Sequence, residues 1–324
     1  MKRIISLFII LITTIVLFGC TKKDSLYKRK GDKIYFGTYP QSLVSYKKLI
    51  DKLNKKSGEL PTSSNKYSWT DYNYYISGNV ESFMFYQDID LNNDGSYDYR
   101  GVYFTKYRPD DTDVESSKET SYQDENGYDI NTVYYFKYEP IEWKILSEID
   151  GKAFIISNMV LDSQDAYPIW YEGKYEHNGN EGYGNNYALS NVRKWLNDTF
   201  YNTSFNDLQK EIIEVTEVEN DASSTDANAR EYVCENTNDK IFLLSLKEML
   251  LLESDNANRL VVGTDYAKAQ GLLTDGTPYG YWRLRSPDSC GSMYIWTSMS
   301  DGITRGGNMR NTCFGTLPAL WIKL

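Results

Sequence analysis

Apolar residues recur along this chain in two rhythms, every second position in some stretches and every third or fourth in others. The first is the rhythm of a half-buried strand, the second that of an amphipathic helix. Strand patterning occupies residues 33–36, 83–86, 100–107 and 132–138, with a turn expected at 37–41. Residues 140–146 and 152–157 flank Asp150 and Gly151, a pair favoured in tight turns, and predict a β-hairpin. Helical spacing starts at Ser42, with Leu43, Tyr46, Ile50 and Leu53 on one face and a stop at Gly58. Ser190 caps a second helix bearing Val192, Trp195, Leu196 and Phe200, and Ser204 with Asp207 opens a third. Residues 241–244 read as a short strand, and Ser245 with Glu248 forms a capping box before the next helix. A last short helix covers residues 264–270 and stops at Gly271.

The final stretch organises the rest. Residues 281–287 and 317–324 are both strand-like, and residues 288–312 between them are rich in Gly, Ser and Thr and read as loops. Residues 173–186 read as an exposed Gly- and Asn-rich loop. Strands at both ends and helices between them predict one α+β domain over residues 31–324, with a Tyr-rich β insertion at about 67–138.

Composition changes this picture in two respects. The chain carries 29 tyrosines against a single histidine, and tyrosine suits half-buried strands and wet binding faces alike. Its net charge of -10 excludes nucleic-acid binding, which rests on clustered Lys and Arg. The same balance argues against electrostatic capture by anionic lipid headgroups. The N-terminus has its own logic. Lys2 and Arg3 precede an apolar run over residues 4–18, followed by Gly19 and Cys20. The run is shorter than the ~20 residues that span a bilayer. It resembles a bacterial lipoprotein signal peptide with its lipobox. The resemblance implies removal of residues 1–19 and lipidation of Cys20 with acyl chains such as palmitate. Residues 20–30 would then be a lipidated tether, holding the body on the extracytoplasmic face of the cell membrane.

Three further cysteines, Cys234, Cys290 and Cys313, allow at most one internal disulfide. Cys290 with Cys313 is the expected pair, and reduced buried thiols are the alternative. Asp90, Asn92, Asp94, Ser96 and Asp98 alternate around Gly95 as in a calcium loop, making Ca2+ the one cofactor in view. Gly101 stands where such a loop needs its bidentate Glu, and a plain hairpin turn is the competing reading. His177 has no nucleophile motif near it and reads as a surface residue. Arg283 and Arg285 alternate on one strand and are expected to meet buried carboxylates. Trp170, Trp282 and Trp296 are candidates to stack on a sugar, with core packing the alternative for at least two of them.

Four segments carry a family resemblance: Phe36-Gly37-Thr38-Tyr39-Pro40-Gln41, Glu139-Pro140-Ile141-Glu142-Trp143-Lys144-Ile145-Leu146, Ser190-Asn191-Val192-Arg193-Lys194-Trp195-Leu196-Asn197, and Trp282-Arg283-Leu284-Arg285-Ser286-Pro287 with Pro318-Ala319-Leu320-Trp321. The chain resembles a bacterial family of unknown function found in secreted and lipid-anchored proteins. Its two final strands also resemble the end of the C-type-lectin-like fold shared with formylglycine-generating enzymes. That resemblance implies a twisted antiparallel sheet, a helix pair and long loops. Leu317 departs from it, because the family usually has Arg there. The enzymes' redox cysteine pair is not matched around Cys290 and Cys313. Nor do Glu139-Pro140-Ile141 and Trp195-Leu196-Asn197-Asp198 supply the lectins' calcium motifs.

The expectation is a lipid-anchored binding or interaction module with glycan or surface-protein ligands. Trp296, Arg305, Asn308 and Arg310 are its candidate contacts, on the loops of residues 288–312. A cell-wall or glycan-acting enzyme is the alternative, and the residues nominate no catalytic group.

Overall fold

The computed structural model describes residues 26–62, 64–72, 74–76, 79–111, 122–163, 173–177, 180–252 and 255–324. Cys20, the apolar N-terminal run and Trp170 lie outside the described residues, and His177 is described in its backbone alone. The strands are β1 (Lys28–Lys30), β2 (Lys33–Leu43), β3 (Thr70–Asp71), β4 (Tyr74–Ile76), β5 (Asn79–Glu81), β6 (Met84–Ile89), β7 (Tyr99–Phe104), β8 (Val133–Ile149), β9 (Lys152–Ser157), β10 (Lys174–His177), β11 (Asn180–Tyr183), β12 (Thr216–Val218), β13 (Thr237–Asp239), β14 (Trp282–Pro287), β15 (Tyr294–Ser298), β16 (Thr304–Asn308) and β17 (Ala319–Lys323). The helices are α1 (Lys47–Ser57), α2 (Tyr122–Glu125), α3 (Asn191–Trp195), α4 (Tyr201–Ser204), α5 (Asp207–Lys210), α6 (Leu246–Met249) and α7 (Asp265–Ala269). The fold is α+β on a curled antiparallel sheet.

Strand β8 is its spine. Along one edge it pairs with β2. Along the other it pairs first with β7 and then, past a break, with β9. β7 continues through β6 to β3, and β9 carries β17, so the sheet forks at the middle of β8. Asp150 and Gly151 both take positive φ, 50° and 73°, and close the tight β8–β9 turn that their sequence predicts. A separate meander of β14, β15 and β16 lies beside this sheet. The main core joins the two through Phe36, Trp143, Phe200, Leu272, Trp282 and Leu320, all buried. The indole N–H of Trp143 donates to the Phe36 carbonyl at 2.7 Å, so the largest buried ring leaves no polar atom unmet. Burial of each such ring is worth roughly 4–6 kcal/mol before ordering entropy is counted. Among the described residues no helix is long and apolar enough to cross a membrane.

Several expectations are corrected here. Residues 37–41 do not turn the chain, because β2 runs through them, absorbing Gly37 and Gln41 in two register shifts. Residues 132–138 and 140–146 are one strand of 17 residues. Within the Tyr-rich block, β6 and β7 extend the main sheet through β8. Residues 241–244 are buried extended chain with a single bridge from Phe242 to Ala319. Residues 173–186 contain the β10–β11 hairpin, and 288–312 contain β15 and β16 rather than loops alone. Helix α1 begins at Lys47, and its buried Leu53 packs near Ile89 and Tyr135. Ser190 caps α3 as expected, and a π-helical turn at Leu196–Phe200 joins it to α4. Asn206, not Ser204, caps α5. The Ser245–Glu248 capping box forms as predicted. Leu317 is buried and completes a core position.

Candidate functional site

The aspartate loop joins β6 to β7, and its carboxylates point back at its own backbone. Asp90 accepts N–H groups of Asp94 (3.2 Å) and Gly95 (2.8 Å). Asp98 accepts those of Leu91 (2.8 Å) and Asn92 (3.2 Å), and Asp94 accepts that of Ser96 (2.9 Å). The Gly95 N–H bond is the main reason the Asp90 carboxyl lies below its ordinary pKa. Asn93 and Gly95 supply the positive φ the turn needs. Calcium asks for six to eight oxygens converging on one point. In this structure the Asp90, Asp94 and Asp98 side chains hold the turn through these backbone bonds. Among the described residues no group of three or more His, Cys, Asp or Glu is placed to hold a metal ion.

The meander separates the four nominated ligand contacts. Pairing sets Trp296 opposite Gly306 and Tyr294 opposite Asn308, which places Trp296 and Asn308 on one face. Arg305 pairs opposite Thr297 and belongs to the other face. Arg310 lies beyond the strand and pairs with Asp111 at 3.2 Å. The four residues therefore do not share a surface. The indole N–H of Trp296 is buried with no acceptor among the described residues. Trp282 is core, and its N–H donates to the Arg259 carbonyl at 3.1 Å.

The expected Cys290–Cys313 disulfide is absent. Cys290 is an exposed thiol and Cys313 a buried one, and Cys234 is also unbridged. The Asp288 carboxylate raises the Cys290 thiol pKa, while burial pushes Cys234 up to about 11 and Cys313 up to about 12. Of these three, Cys290 alone should react with a thiol reagent in the folded protein, and increasingly so at alkaline pH. Unfolding should release two more equivalents from these three, whereas a Cys290–Cys313 bridge would leave Cys234 as the one thiol among them.

Arg285 meets a carboxylate, as its alternation with Arg283 predicted. It forks onto Glu248 and also donates to the carbonyls of Leu243 (2.5 Å) and Glu219 (3.0 Å) and to Asn220 Oδ1 (3.2 Å). Arg283 donates to the carbonyls of Asn311 (3.0 Å) and Phe314 (2.7 Å). Both guanidinium groups brace loops. The fork in the sheet holds a third buried guanidinium, Arg100, which sequence reasoning did not nominate. It grips Asp88 at 2.7 and 2.8 Å and donates to the hydroxyls of Tyr138 (3.0 Å) and Tyr266 (3.1 Å). The Tyr86 ring lies 4.5 Å from its centre. Tyr266 bonds Tyr72 at 2.7 Å, Gln270 donates to Tyr72 at 2.9 Å, and Tyr39 donates to Asp162 at 2.5 Å. Burial raises the pKa of Tyr39, Tyr72, Tyr138 and Tyr266, so these phenols stay protonated and act as donors, not bases. This cluster clamps the Tyr-rich strands to α7.

An open site lies at the other end of the sheet. A groove of about 340 Å³ is lined by Ile149, Lys152, Glu214, Val215, Thr216 and Trp321 among others. Trp321 pairs opposite Phe154, and their rings stack at 5.1 Å with 12° between planes. Phe154 is stacked in turn on Phe242 at 5.8 Å. Trp321 is thus a held, half-buried plate. Its carbonyl accepts the Glu214 N–H at 2.9 Å, which anchors the Glu214 backbone to β17. Glu214 meets Lys152 at 2.7 Å and Lys323 at 3.1 Å. Hydrogen bonds from Lys152 and then Lys323 hold its pKa below the ordinary glutamate value. Glu214 and Trp321 lie far apart in the chain, and only the β9–β17 pairing brings Lys152, Lys323 and Trp321 together.

The class defined by these features is an α+β protein with a forked antiparallel sheet, a clamped strand meander and an aromatic, acid-bearing groove. The chain belongs to the family of the domain of unknown function DUF6273, which matches residues 150–324. No curated protein and no solved structure matches it. The groove's Lys152, Glu214 and Trp321 and the Arg285 brace fall inside the matched region, while Arg100 and Asp88 precede it.

Proposed function

We propose that this protein is a binding module of the cell surface, held by a lipid on Cys20 at the extracytoplasmic face of the membrane. Its core is read as C-type-lectin-like, and its ligand as a glycan. The lipid reading is supported by the cationic, apolar and Gly19-Cys20 order of the N-terminus. The fold reading is supported by the two terminal strand motifs, which form β14, the first strand of the meander, and β17, the strand that follows it. One observation carries the ligand reading: a plate-like Trp321 beside an ionised Glu214 and two lysines, facing a groove. The apolar C–H face of a sugar stacks on such a ring, its hydroxyls donate to the carboxylate and accept from the ammonium groups. Few polar groups in an otherwise apolar groove fix orientation.

A screen of glycans and cell-wall fragments against the mature chain tests this. The hit should keep most of its affinity as pH falls from 7 toward about 4.3, the ordinary glutamate value. It should weaken chiefly below that, because the Glu214 pKa is depressed and its charge survives until pH passes the lowered value. Loss of affinity already near pH 6, or steady turnover of the hit, would count against the reading.

A further inference from the structure

The chain's charge is segregated, and the segregation has a direction. Residues 21–33 carry Lys22, Lys23, Lys28, Arg29, Lys30 and Lys33 against only Asp24 and Asp32, in a chain whose net charge is -10. The body beyond them is therefore strongly acidic, and the cations gather at the start of the folded part. There β1 forms the edge of the main sheet, pairing only with β2. Arg29 is matched by Glu148 at 2.5 Å and Lys33 by Glu142 at 2.5 Å. Lys28 and Lys30, both exposed, alternate with Arg29 and form no salt bridge among the described residues. They line a groove of about 460 Å³ whose other walls include Leu26, Tyr27, Tyr35 and Pro140. An apolar, tyrosine-bearing hollow rimmed by lysines matches the interface of a bilayer, where aromatic rings sit at headgroup level and lysines snorkel to phosphate.

We infer that the β1 edge and its groove are a foot that docks on anionic phospholipid, with Lys28 and Lys30 on the headgroups and Tyr27 in the interface. This rests on the lipid-anchor reading above. From Cys20 to Leu26 the extended chain reaches no more than ~20 Å, so an acylated Cys20 holds this groove close to the surface. The global acidity that argues against membrane attraction then acts as an orienting force. The anionic surface attracts the foot and repels the body, which stands the acidic domain away from the bilayer.

The test uses the mature, acylated chain on vesicles of phosphatidylcholine, with and without one-third phosphatidylglycerol. Flotation and hydrogen exchange are read on the same samples. On anionic vesicles the outward amides of residues 26–36 should exchange about tenfold more slowly than on neutral ones, an effect that high salt abolishes. The Lys28→Glu, Lys30→Glu double variant, whose changes are confined to exposed positions, should still float and lose the protection. Chain that fails to float overturns both the anchor and the foot. Chain that floats with equal exchange on both vesicles overturns the foot alone and leaves the anchor standing.

Discussion

Replacing Arg100 with Leu is expected to lower the folding stability by about 3–5 kcal/mol, the usual cost of removing one partner from a buried ion pair. The Arg100 side chain is 5% exposed and that of Asp88 is 14% exposed, so the abandoned carboxylate has little water to turn to. Tyr138 would still donate to it at 2.9 Å, but the two guanidinium bonds would be gone. Tyr266 would lose a donor, and a void would open beneath Tyr86. Burial disfavours the Arg100 charge, and Asp88, Tyr138 and Tyr266 together more than offset this, so the guanidinium stays ionised. A loss of this size is a large fraction of the ~5–15 kcal/mol that keeps a domain folded. Urea denaturation with matched slopes would measure it. The double variant Arg100→Leu with Asp88→Leu should regain much of the loss, since apolar side chains replace a buried pair at little cost. An unchanged midpoint for the single variant would show that the clamp does not join the Tyr-rich strands to α7.

Arg285→Met should cost somewhat less, about 3 kcal/mol, by the same reasoning. Glu248 is 28% exposed on its side chain and keeps the Ser245 N–H at 2.9 Å, so it can rehydrate. The carbonyl of Leu243 cannot, and an unmet buried acceptor costs about 1–3 kcal/mol. The signature should be local as well as global. Hydrogen exchange should accelerate first around residues 219–224 and 243–248, the two loops that Arg285 ties to β14. Uniform acceleration over the whole chain would contradict a bracing role.

Much of the fold was legible because some residues admit one reading. Asp150-Gly151 accepts positive φ at both positions, and the Ser245–Glu248 spacing fits a cap, and both formed. Other residues admit two readings, and the chain chose the one that neighbours allowed. Pro140 looked like a break, yet it sits opposite Thr38 where the β2–β8 register shifts, so β8 passes through unbroken. Gly306 and Gly307 looked like loop glycines. They are strand residues at which a Cβ would crowd the Asp288 carboxylate and, at Gly307, fall 2.5 Å from Thr297 Oγ1 and 2.6 Å from the Phe314 ring, so close packing favours glycine there. Alternating aspartates serve equally as metal ligands or as turn caps, and only the direction of the carboxylates separates the two. The nominated contacts are scattered for a related reason. Trp296 and Arg305 are close in sequence, but alternation along a pleated pair sends them to opposite faces. Trp321 was placed on a buried strand, and neither Glu214 nor Lys152 drew notice. Their meeting depends on pairing between β9 and β17, which no local pattern encodes.

The ligand-binding claim is tested most directly by titrating the best glycan hit into three forms of the mature chain: wild type, Glu214→Gln and Trp296→Ala. The groove account predicts that Glu214→Gln weakens binding at least tenfold, as expected for a lost charged hydrogen bond, while Trp296→Ala leaves the affinity within twofold of wild type. The reverse pattern, with binding lost at Trp296 and kept at Glu214, would move the ligand to the meander and contradict it.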